Sequence, residues 1–75
     1  MTAHEAHVLA IRLAKDHEPE AGFRAIPKSL SREDKECVAL IMLALYEDDA
    51  FLRLRKAYLD YMDLMSFAPG TRPVP

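Results

Sequence analysis

The chain has little cysteine, little glycine and no tryptophan. Cys37 is its single cysteine, so no disulfide can staple one copy, and a lone thiol weakly fits a reducing compartment. Two glycines in 75 residues, with few Val, Ile and Thr, leave strands and tight hairpins poorly supported. No apolar stretch exceeds ten residues, far short of the roughly 20 that span a bilayer. The first residues, Met1-Thr2-Ala3-His4-Glu5, lack the basic region and apolar core of a secretion signal, so we expect a cytoplasmic protein without a membrane span. A net charge of −2 also speaks against nucleic acid, whose binders carry a basic face.

What is present is helix-forming. Leu, Ala, Met, Glu, Asp, Lys and Arg dominate, and a hydrophobic share of 51% beside 29% charge is a globular balance. A chain this short buries only about 60% of the surface its unfolded form exposes, so it needs help from a staple or a partner.

Three helices are expected. Thr2-x-x-Glu5 reads as a capping box, and Leu9 with Leu13, and Ala6 with Ala10, set an apolar stripe. The first helix should run from about Ala3 to His17, before Pro19. Residues 18–30 read as a long connector anchored by Phe23, Ile26 and Leu30, with a short helical turn near Glu20 to Arg24 as the alternative. Ser31 caps a second helix, with Glu33 and Asp34 suiting its dipole.

That helix then enters a run, Cys37 to Tyr46, that is apolar on every side. Such a helix should be central and flanked on both sides, with Cys37 acting as a small buried hydrophobe. Glu47-Asp48-Asp49 follows, and a tight turn there is favoured over one unbroken helix, because three acids suit a helix C-terminus badly.

The last helix, Ala50 to about Phe67, places Phe51, Leu54, Tyr58, Tyr61 and Met65 at steps of three and four, with Leu52, Leu59 and Met62 widening the stripe. The expected fold is all-α: one helical domain over 1–67, arranged as helix, long connector and antiparallel helical hairpin. The stretch 68–75, rich in Pro and Gly, reads as a passive, flexible tail. Three short helices cannot cover both the all-apolar helix and the last stripe, so a homodimer is expected.

The chemical candidates are thin. His4 and His7 share a helical face, but His17 points elsewhere, so they read as exposed histidines rather than zinc ligands. Cys37 lacks a neighbouring base. The acids 47–49 lack the glycine and spacing of a calcium loop. No catalytic residue, metal or cofactor is therefore assigned, and no enzyme is expected.

Arg53, Arg55 and Lys56 are the residues a dimeric DNA-binding regulator would use, yet they sit among acids beside an apolar middle helix unsuited to a groove. A metal protein or small enzyme using His4, His7 or the acidic turn is a third possibility. Interface-type side chains are abundant instead. The leading expectation is a small regulator, adaptor or inhibitor that binds another protein through Tyr58, Tyr61, Met62 and Met65, supported by Phe51 and Leu54.

Overall fold

The computed structural model describes residues 1–66; Phe67 and the tail expected over 68–75 lie outside them. Among the described residues all regular structure is helical: α1 (Ala3–Asp16), α2 (Pro19–Arg24), α3 (Arg32–Tyr46) and α4 (Asp49–Ser66). The described residues thus form four helices where three were expected. Much of the connector expected between the first two is α2, whose Pro19 opens the helix with φ preset and no N–H to waste.

The capping box at Thr2 is formed. Its hydroxyl accepts from the Glu5 N–H at 3.1 Å, and the Glu5 carboxylate accepts from the Thr2 N–H at 2.7 Å. The extended backbone of His17 ends α1 at Asp16.

α1 and α3 lie side by side and run in the same direction. The Met1 amino group is 3.5 Å from the Asp34 carboxylate at the start of α3, and the Tyr46 hydroxyl donates to the His17 carbonyl at 2.8 Å at the other end. Parallel neighbours explain the long connector. It must carry the chain back along α3, a helix of 15 residues or roughly 22 Å, before α3 can begin. On the way Phe23, Ile26 and Leu30 pack against the core.

The core is small and built on alanine. Ala6, Ala10, Leu13 and Ala14 of α1 meet Val38 and Met42 of α3. Alanines four residues apart put a shallow face toward α3, so Val38 and Met42 can bury completely. Gly22 serves the same end in α2. A Cβ there would run into the Tyr46 hydroxyl and lie 3.0 Å from Met42 Cε.

Two expectations for α3 are overturned. The helix is not flanked all round: Leu40 is 67% exposed and Leu43 48%. Cys37, expected to be buried, is exposed on the same side. The reason is simple geometry. α1 and the connector cover one side of α3, and α4 leaves from its far end, so among the described residues nothing covers the face carrying Cys37, Leu40 and Ala44.

The tight turn between α3 and α4 is present. Glu47 closes α3, and Asp48 caps α4 by accepting from the Ala50 and Phe51 N–H groups at 2.9 and 3.4 Å. This cap starts α4 at Asp49, one residue before the expected Ala50. No residue of α4 is buried. The radius of gyration is 15.1 Å, where a compact chain of this length has about 11 Å.

Candidate protein-binding surface

α4 is held to the bundle by its first half. Phe51 packs against the core. Arg55 Nε donates to the Ala14 carbonyl at 2.9 Å, and its guanidinium lies 3.4 Å from the Glu18 carboxylate. Ala14 is in the last turn of α1, where carbonyls lack helical partners and a cation suits the dipole. Arg55 therefore works as a cap on another helix, with only 11% of its side chain exposed. Tyr58 completes the attachment. The Lys15 ammonium lies 4.2 Å from its ring centre, and burial, then a hydrogen bond with Asp16, raises the phenol pKa.

Beyond Leu59 the attachment stops, and every residue from Asp60 to Ser66 is exposed. The six side chains singled out from periodicity are thereby divided. Phe51 and Tyr58 face the bundle and are half-buried. Leu54 (71% exposed), Tyr61, Met62 and Met65 are open to solvent.

Two residues of this surface were not singled out. Leu64 is 69% exposed, and Ala57 is exposed as well. Their signal lies in the same helix. Leu54, Ala57, Tyr61 and Leu64 follow steps of three, four and three, a second stripe rotated away from the Phe51–Tyr58 face.

Charge along α4 is graded. Arg53 and Lys56 belong to the first half, Asp60 and Asp63 to the second, and Lys56 Nζ reaches Asp60 Oδ2 within the helix at 2.9 Å. Of the three basic residues considered for DNA, Arg55 is consumed by α1, and Lys56 is paired.

The remaining candidates are dispersed. His4 and His7 are both exposed, and His7 Nδ1 lies 3.1 Å from the Ala3 carbonyl. Asp48 is engaged as the α4 cap. Among the described residues no three His, Cys, Asp or Glu side chains gather as a metal site, and no helix is long and apolar enough to cross a membrane. An open hollow of about 510 Å³ lies between the connector and α3, with Phe23, Ile26 and Ala39 at its apolar wall and Arg24, Lys28, Lys35 and Glu36 around it. Compared with known protein families, curated proteins and solved structures, the chain matches none.

Proposed function

We propose that this chain is a small, cytoplasmic, non-enzymatic interaction protein, a regulator, adaptor or inhibitor, that binds protein through α4 and works as a homodimer. One observation carries the reading: an 18-residue helix that buries none of its residues and bares Tyr61, Met62, Leu64 and Met65 in its last two turns. A helix segment standing in water without packing is marginal, because helices draw most of their stability from a buried face. Monomers rarely leave contiguous apolar patches uncovered. Tyr and Met are also the side chains interfaces favour, Tyr for its rigid area and Met for its adaptability.

The test is a comparison of baits. Wild-type chain and the double variant Tyr61→Asp/Met65→Asp are immobilised in native lysate, and the same two proteins are followed by light scattering. The expected result is a bound protein, or self-association, present with wild type and lost with the variant. Identical behaviour of the two baits, with both monomeric, sinks the proposal.

A further inference from the structure

We propose that the occupant of the Leu54–Ala57–Tyr61–Leu64 stripe is the same stripe of a second copy, laid antiparallel about a two-fold axis midway between Ala57 and Tyr61, at the level of Leu59 on the opposite face of the helix. This rests on reading α4 as a protein-binding surface, and it names the protein.

Shape supports an antiparallel partner. With the axis at Leu59, Leu54 meets Leu64 of the partner subunit, and Ala57 meets Tyr61 of the partner subunit. Each layer then pairs two leucines, or a large ring with a methyl group, which is how facing helices interdigitate without voids. A parallel pair would set Ala57 on Ala57 and Tyr61 on Tyr61, leaving a gap in one layer and crowding the next.

Charge selects the same arrangement. Arg53 and Lys56 occupy the first half of α4, Asp60 and Asp63 the second. With Lys56 and Asp60 paired within each helix and Arg55 engaged by α1, antiparallel packing brings Arg53 toward Asp63 of the partner subunit, whereas parallel packing puts like beside like. The Lys56–Asp60 pair within each helix neutralises Asp60 where the two copies approach the axis.

Exposure agrees. Leu54 and Leu64, the outer pair of the stripe, are 71% and 69% exposed, and Tyr61 between them is 57% exposed. A two-fold pair is also self-limiting, because the same patch is consumed on both copies.

The test uses the full chain with Cys37→Ser, so that only introduced thiols react. Leu54→Cys and Leu64→Cys variants are oxidised separately and mixed, and assembly is followed by sedimentation equilibrium. The expected result is a dimer in which the mixture cross-links and neither variant alone does, since a disulfide needs Cα atoms within roughly 7 Å. Tyr61→Asp should weaken dimerisation about thirtyfold, the scale of an interface hot spot, while its circular dichroism stays helical. Leu64→Glu gives the same readout if Tyr61→Asp fails to fold.

A monomer throughout, Leu54→Cys cross-linking to itself, or a dimer indifferent to both charge variants would each overturn the inference. The broader reading fails separately. A monomeric wild type that still loses a captured protein on Tyr61→Asp removes the dimer and keeps α4 as the binding surface.

Discussion

α1 and α4 are both amphipathic helices with similar apolar content, yet they meet opposite fates. α1 buries Ala6, Ala10, Leu13 and Ala14, while no residue of α4 is fully buried. The buried set is mostly alanine, and the exposed set is large: Leu54, Tyr61, Met62, Leu64 and Met65. Burial of a Leu or Met side chain is worth about 1.5–3 kcal/mol, so among the described residues the most valuable apolar groups are left about half to two-thirds exposed. Small residues let two helices of one copy meet closely. Large residues on a projecting helix are suited to a surface that arrives from outside.

The sharpest way to break this contrast is to truncate one side chain from each region. Met42→Ala should lower stability by about 2–5 kcal/mol, because Met42 is wholly enclosed between α1, α2 and α3. Leu54→Ala, measured at dilution where copies are apart, should stay within about 0.5 kcal/mol. Denaturant unfolding of the two variants checks both. Equal losses at dilution would mean that α4 is covered within one copy.

Next in size is Gly22→Val. The backbone of Gly22 is unremarkable in φ, and the constraint is space. A side chain there pushes into the Tyr46 hydroxyl and Met42 Cε and must move α2 off α3. Overpacking of this kind costs about 1–3 kcal/mol. A thermal melt unchanged from wild type would show that α2 packs loosely, and the contrast would then lie between α1–α3 and everything else.

Both of these sites show where the sequence was readable and where it was not. Local signals carried through: the Thr2–Glu5 box, the Ser31 cap, and the turn at Glu47–Asp48 all formed. Each depends on residues within four positions of one another. Neighbour relations did not carry through. The all-apolar run of α3 implied full coverage, but periodicity cannot say how many neighbours a short chain can supply, and Leu40 and Cys37 stayed open.

Gly22 carries no local signal for its role, because the side chains that exclude a Cβ there, Tyr46 and Met42, lie 24 and 20 positions on. Arg55 looked like a free cation and is the cap of α1, 41 positions away. The stripe on α4 was visible as apolar spacing. Which half of it faces the bundle depends on where Arg55 and Tyr58 anchor, and that is tertiary information.

Asp48→Ala comes third, with an expected loss of about 1 kcal/mol for a helix cap. It sharpens the contrast by testing whether α3 and α4 are distinct helices. The Asp48 carboxylate satisfies N–H groups at the start of α4, which would have helical partners in a continuous helix. In that case removing an acid from mid-helix would cost nothing. Amide exchange at Ala50 and Phe51 would report the cap directly, with faster exchange in the variant.

The smallest effect is silent at neutral pH and belongs to two tyrosines, Tyr46 at the end of α3 against the α1–α2 junction and Tyr58 on α4. Burial raises the Tyr46 pKa above its usual 10.0, with Arg55 lowering it and Glu18 raising it to lesser degrees. Burial and Asp16 raise that of Tyr58. A raised folded value means the unfolded chain gives up its phenol proton first. The stabilisation is fully present below pH 10 and is lost as pH climbs through the folded value.

For Tyr46 the loss has a visible cause: a phenolate cannot donate to the His17 carbonyl, and its charge would sit between helices. Stability measured from pH 9 upward should therefore fall less steeply in Tyr46→Phe than in wild type. Tyr58→Phe should flatten the slope less, since its ring lies at the bundle's edge under Lys15. The reverse order would place the tighter packing at α4 and invert the distinction between the two halves of the molecule.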